Sequence, residues 1–221
     1  YCQWVILWAL ASKAPMQTTF IDPKAKPAWL LEMHPKGTLP LARYGETVIP
    51  ESKSIVEFIK ATWPTPSLKA PRSVSKLEKA PLTDHLFTFL AKKGAEREAG
   101  RTALLEELER IDTLLTISTG SGEDGLSISG SDTLCSVDLS LVPKIEHCVV
   151  ASAWLSGTPA LDPLANVPAL KSYYDRVLRS DLWKASHQFG DAGIIDFWGG
   201  YLVKLGLIES YETPRSASKL E

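Results

Sequence analysis

The sequence predicts an α/β unit followed by an all-α unit, and three observations carry that prediction. The first 63 residues alternate between runs that suit helices and runs that suit strands. Residues 64–81 hold four prolines among scattered basic side chains and read as a linker. From Leu82 onward the apolar residues recur at helical spacing. The expected organisation is an α/β domain over 1–63, a linker over 64–81, an all-helical domain over 82–210 and a mobile tail over 211–221.

The elements follow in order. Residues 1–13, YCQWVILWALASK, are apolar helix formers without internal Gly or Pro, and read as a buried helix. Met16 to Ile21 (MQTTFI) is rich in β-branched and aromatic residues and reads as a short strand. Pro27 to Met33 places a proline at a first helical position, giving a short helix. His34 to Pro40 (HPKGTLP) is loop punctuation. Leu41 to Tyr44 and Thr47 to Ile49 flank Gly45-Glu46, the pattern of a β-hairpin. Glu51 to Trp63 carries apolar residues at Ile55, Val56, Phe58 and Ile59, which suits a helix with a polar first turn. Leu82 to Leu115 reads as long amphipathic helix, bent near Gly94 or Gly100. Residues 118–133 are Ser/Gly-rich, a loop or loose hairpin. Further helices are expected over 135–155, 168–179 and 194–207, and there is no internal repeat.

Composition narrows the function classes. The 221 residues carry a formal net charge of −2 and a sequence pI near 6.1. A generally basic nucleic-acid binder, which needs clustered Lys and Arg to displace counterions, is excluded. No apolar run reaches the roughly 18 residues of a membrane-spanning helix. The cysteines, Cys2, Cys135 and Cys148, are odd in number and lack zinc spacing, so free thiols in a reducing compartment are expected, with no metal. His34, His85, His147 and His187 are scattered, with no i, i+4 pair or nearby acid, and are expected in structural or surface roles. Trp4, Trp8, Trp29 and Trp154 are expected in the core, while Trp198 and Tyr201 either pack back on the bundle or face a partner. Gly120, Gly122 and Gly125 do not form a phosphate loop, lacking a preceding strand and a following Lys. The first residue, Tyr1, is followed by no signal-peptide pattern, and the chain reads as the middle of a longer one.

Two stretches carry a family resemblance: KPAWLLEMHPKGTLPLARYGETVIPESKSIVEFI (Lys26 to Ile59) and CSVDLSLVPKIEH (Cys135 to His147). They resemble the glutathione S-transferase superfamily, and within it the dehydroascorbate reductases, with the omega-class transferases and chloride intracellular channel proteins as relatives. The resemblance covers roughly residues 1–190. It implies a thioredoxin-like N-terminal domain, whose first strand is missing from this sequence, and a helical glutathione transferase C-terminal domain.

The resemblance also assigns roles. Pro40, in Thr38-Leu39-Pro40, matches the family's cis-proline, which would expose the Leu39 backbone to an extended tripeptide as an added strand would. Glu51-Ser52 matches the acidic-Ser pair at a helix start, where free N–H groups and the hydroxyl suit the γ-glutamyl carboxylate of glutathione and the acid suits its ammonium. Lys26 aligns with a lysine near the glycyl carboxylate. Thr38 stands where many dehydroascorbate reductases carry Lys, removing one anion contact. Asp138 matches the acid of a capping box whose cap position here is Cys135, a weak acceptor that Ser136 can replace. Tyr1-Cys2-Gln3 matches the end of the family's Cys-Pro-[Phe/Tyr]-[Ser/Cys] motif, so the reactive Cys is expected two residues before Tyr1 and Cys2 is at most a resolving thiol.

The resemblance therefore implies a glutathione-dependent thiol oxidoreductase that reduces dehydroascorbate through a Cys–glutathione mixed disulfide. Glutathione would be a co-substrate, and the compartment would be plastid, mitochondrion or cytoplasm. The competing expectation is a non-catalytic accessory subunit of a larger assembly. Membrane insertion of the chloride-channel kind finds little support in so short a first helix.

Overall fold

The computed structural model describes residues 1–119, 125–155, 161–187 and 190–211. The chain divides into two compact units, Tyr1–Lys69 and Ala70–Glu221.

In the first unit, α1 (Cys2–Ala11) buries Val5 to Ala9 and packs on α3 (Ser52–Thr62), which buries Ile55, Val56 and Ile59. Their polar alternation differs because α1 is covered over most of its length whereas α3 keeps one face in solvent. Between them run α2 (Ala28–Met33), β1 (Leu41–Tyr44) and β2 (Thr47–Pro50). The two strands pair antiparallel, with Leu41 opposite Pro50 and Tyr44 opposite Thr47. Gly45 opens the two-residue turn at φ 57°, the conformation that a glycine adopts without Cβ strain.

The strand expected over Met16 to Ile21 does not form: the segment is irregular. A strand exists only through its ladder, and the ladder found among the described residues is that of β1 with β2. Pro27 caps α2 rather than entering it.

In the second unit, residues of the proline-rich stretch are packed rather than free. Ser75–Lys79 forms a 3-10 helix that buries Leu77, with Val74 and Ala80 buried beside it. Lys144 donates to the carbonyls of Glu78 and Ala80, both at 3.0 Å, and the Ser140 hydroxyl also donates to Glu78. Burial pulls the Lys144 ammonium below its ordinary pKa.

The long helix expected over 82–115 is two helices, α4 (Leu82–Ala91) and α5 (Gly94–Thr119). The break falls at Gly94, which takes φ 56°. Gly100 serves another purpose. A Cβ there would lie 2.6 Å from the Phe89 nitrogen and 2.8 Å from the Thr88 carbonyl carbon. The absent side chain is what lets α4 and α5 approach so closely.

The central helix is α6 (Ser136–Leu155), buried on almost every side and in contact with α4, α7, α9 and the 3-10 helix. It holds Pro143 in its interior, which removes the N–H that would bond the Leu139 carbonyl. Then follow α7 (Pro168–Arg179), α8 (Asp181–Ser186) and α9 (Gly190–Lys204). The sequence pattern does not predict α8, and the last helix begins at Gly190 rather than at the expected Ile194. The Ser180 side chain caps α8 by accepting from the Trp183 N–H.

Asp138, 1% exposed, organises the start of α6. Its Oδ2 accepts from the Cys135 N–H and the Ser127 hydroxyl, both at 2.6 Å. Its Oδ1 accepts from the Ile128 N–H and the Tyr173 hydroxyl, both at 2.7 Å. This is the reach-back half of a capping box, extended to the preceding loop and to α7. Ser136 is already inside the helix and does not act as the cap.

Trp8, Trp183 and Trp198 are core residues, and Trp198 donates its Nε1–H to Nδ1 of His147 at 3.0 Å. Burial lowers the His147 pKa to about 4, so its imidazole stays neutral and accepts that bond. Trp29 and Trp154, expected in the core, are 43% and 55% exposed. Residues 120–124 and the tail after Tyr211 lie outside the described residues.

Candidate functional site

The hairpin register builds the site in the first unit. Because Leu41 pairs with Pro50, the residues just before β1 and just after β2 emerge side by side. Those residues are Leu39-Pro40 and Glu51-Ser52. The Leu39–Pro40 peptide bond is cis, as is Thr65–Pro66. Leu39, Pro40 and Ser52 are half-buried, and Glu51 is exposed.

Glu51 is the N-terminal boundary residue of α3 and adopts φ 69°, a left-handed backbone in a residue with a side chain. Such a conformation costs of order 1–3 kcal/mol and persists where surrounding structure imposes it. Here it turns the chain from β2 into α3. The first helical bond runs from the Ile55 N–H to the Glu51 carbonyl, and no side chain caps this end. The amides of the first turn therefore present the positive end of the helix beside Ser52.

The loop ahead of the cis bond is locally braced. Gly37 takes φ 59°, its N–H donates to the His34 carbonyl at 2.7 Å, and His34 Nε2 meets the Thr38 hydroxyl at 2.7 Å. Lys26 lies across Gly37: its Cδ and Nζ fall 3.3 and 3.5 Å from where a Cβ on Gly37 would be. Lys26 thus belongs to the same loop cluster as Leu39. Thr38 is engaged by His34, a contact that its spacing from His34 could have suggested.

Cys2 starts α1, and Tyr1 bounds that helix without a capping side chain. Cys2 keeps contact with solvent, yet burial of the thiol raises its pKa above the ordinary value. A raised pKa disfavours the thiolate, the reactive form. Cys135 and Cys148 are buried, with thiols pushed up to about 11 and about 12, mainly by burial. All three cysteines are free.

The sequence reading named no metal ligand and found no acid near a histidine. In the second unit the fold brings Glu146, His187 and Asp191 together, with His187 Nε2 2.9 Å from Glu146 Oε1. The i, i+4 spacing of His187 and Asp191 was the available signal, spanning the junction of α8 and α9.

This corner of cis-proline loop, hairpin and helix start, followed by a helical unit built on a buried α6, has the form of a glutathione S-transferase. Residues 1–62 match the family model described as glutathione S-transferase, N-terminal domain. The chain is 31% identical over 151 residues to the glutathione S-transferase DHAR2 of Arabidopsis thaliana, covering 68% of this chain and 67% of that one. It is 31% identical over 170 residues to the probable cytosolic glutathione S-transferase DHAR1 of Oryza sativa subsp. japonica, covering 76% of each chain. The crystal structure of Chlamydomonas reinhardtii dehydroascorbate reductase superposes with a TM-score of 0.73 at 29% identity, over 89% of this chain and 87% of that one. The chain belongs to the glutathione S-transferase family and is similar to dehydroascorbate reductase-type members of it.

Proposed function

We propose that this chain binds glutathione at the corner formed by Lys26, Leu39, Pro40, Glu51 and Ser52, and that it serves a glutathione-dependent reduction of dehydroascorbate. The observation that carries the proposal is the pairing of Leu41 with Pro50, which sets the Leu39 backbone beside the uncapped start of α3. An extended tripeptide laid along Leu39 would pair with its N–H and C=O. Its γ-glutamyl carboxylate would accept from the Ser52 hydroxyl and the first-turn amides, where the helix field favours an anion. Glu51 would hold the α-ammonium, and Lys26, beside Gly37, the glycyl carboxylate.

In the overall reaction dehydroascorbate gains two electrons and two protons, and two glutathione thiols become one disulfide. On the family's motif the reacting thiolate would be that of a Cys two positions ahead of Tyr1. Cys2, at the motif's fourth position, would have a resolving role at most. Free thiols fit a reducing compartment inside the cell.

Calorimetric titration with glutathione tests the binding site. Ser52→Ala is expected to weaken binding at least tenfold, about 1.4 kcal/mol, without lowering the unfolding midpoint. Equal affinity in parent and variant would overturn the assignment. Reduction of dehydroascorbate by the full-length protein tests the chemistry. Binding without turnover would support the accessory-subunit reading, which the exposed apolar side chains Phe197, Val203 and Leu205 in and just after α9 favour.

A further inference from the structure

A cavity of about 510 Å³ opens in the second unit among α6, α7, α8 and the start of α9. Much of its wall is apolar, including Val150, Leu178 and Trp183. Into the same wall come three side chains of a different kind: Glu146 from α6, His187 at the end of α8 and Asp191 in the first turn of α9.

Their burial is graded. Glu146 is 2% exposed, His187 is half-buried and Asp191 is exposed. A carboxylate as deep as that of Glu146 is costly unless a partner compensates its charge. His187 Nε2 approaches Glu146 Oε1 to 2.9 Å. The two side chains form an ion pair whose Nε2 is sealed from solvent, and the contact with Glu146 raises the His187 pKa above its ordinary value. One ligand-type atom from each of the three residues lies within 4.8 Å of the other two.

We propose that Glu146, His187 and Asp191 form a binding site for a divalent cation of the zinc class. The donor set, one imidazole nitrogen and two carboxylate oxygens, is one that zinc takes at about 2.0–2.2 Å from each ligand atom. Tetrahedral ligand atoms at that distance stand roughly 3.4 Å apart. Glu146 and His187 are already closer than this. The widest separation of 4.8 Å asks for a closure of at most about 1.4 Å (4.8 less 3.4), which the exposed Asp191 side chain can make by rotation. Two carboxylates balance the 2+ charge, and the ion takes the place of the direct contact between His187 Nε2 and Glu146.

Three protein ligands leave one tetrahedral position for water or a small anionic or neutral ligand, the arrangement of an open rather than a closed site. The cavity has room for it, since a water takes about 30 Å³. Lys184, exposed, also lines the cavity.

The test is calorimetric titration of the chelator-treated chain with Zn²⁺ in a Cys2→Ser background, alongside thermal unfolding with and without Zn²⁺. One ion per chain and a raised unfolding midpoint are expected. Asp191→Asn and His187→Gln should each weaken Zn²⁺ binding at least tenfold, whereas His85→Ala should leave it unchanged. Asp191 is exposed, so its variant folds, and matched midpoints in chelator establish this for both variants. No binding at about 1 mM Zn²⁺, equivalent to less than about 4 kcal/mol of affinity, would overturn the proposal. Undiminished binding in both variants would overturn it as well.

Discussion

Removing the charge of Asp138 should loosen the whole second unit. Each carboxylate oxygen accepts one backbone N–H and one hydroxyl: Oδ1 from Ile128 and Tyr173, Oδ2 from Cys135 and Ser127. Asp138→Asn keeps the shape but replaces one oxygen by an amide NH₂. Either hydroxyl can rotate and accept from that NH₂, but a backbone N–H cannot. Whichever way the amide turns, one buried N–H loses its acceptor and the others lose a charged one. The expected cost is about 2–4 kcal/mol. Asp138→Ala strips all four bonds and should cost about 4–5 kcal/mol, at the upper end for a single substitution. Tyr173→Phe, which removes one donor and leaves the carboxylate three, should cost about 1–2 kcal/mol.

For a unit of this size the Asn variant should unfold roughly 4–16 °C earlier. Thermal and urea unfolding of the three variants at pH 7, followed by circular dichroism, measures the series. The reasoning fails if Asp138→Asn lies within about 0.5 kcal/mol of the parent. It also fails if Tyr173→Phe costs as much as Asp138→Ala, since the carboxylate would then be only a partner of the tyrosine.

Gly100→Ala sets a gain of about 1 kcal/mol in helix propensity against a Cβ 2.6 Å from the Phe89 nitrogen; overpacking against backbone should win, with a net loss of about 1–2 kcal/mol by urea unfolding, and a stabilised variant would refute the close approach of α4 and α5. Thiol labelling of the native protein at pH 8 should modify Cys2 alone, because Cys135 and Cys148 titrate near 11 and 12 and are buried; denaturant should release all three. These folded-state values lie above the ordinary 9, so the stability from keeping both thiols neutral is complete below pH 9 and is lost as pH climbs towards 11 to 12. Early labelling of Cys148 would place it outside the core.

Much of the fold was legible because it is written locally. Gly45 between two short alternating runs specifies a hairpin whatever surrounds it, and the amphipathic pattern of 51–63 specifies a helix. The residues from Leu39 to Ser52 sit within one short stretch, so their convergence follows from hairpin register alone. The family resemblance lay in the same stretch and in the start of α6. What only the tertiary structure decided is of another kind. MQTTFI has the propensity of a strand, but a ladder needs a neighbour, and propensity does not supply one. Trp29 and Trp154 are as apolar as Trp8, yet exposure depends on which face another element covers. Asp138 announced a helix cap, but its hold on Tyr173 arises only when α7 packs beside α6. Glu146 and His187 are 41 residues apart in sequence, and no spacing rule joins them. They meet because the helices carrying them share a cavity wall, and that sharing is set by packing of apolar faces rather than by the charged residues themselves.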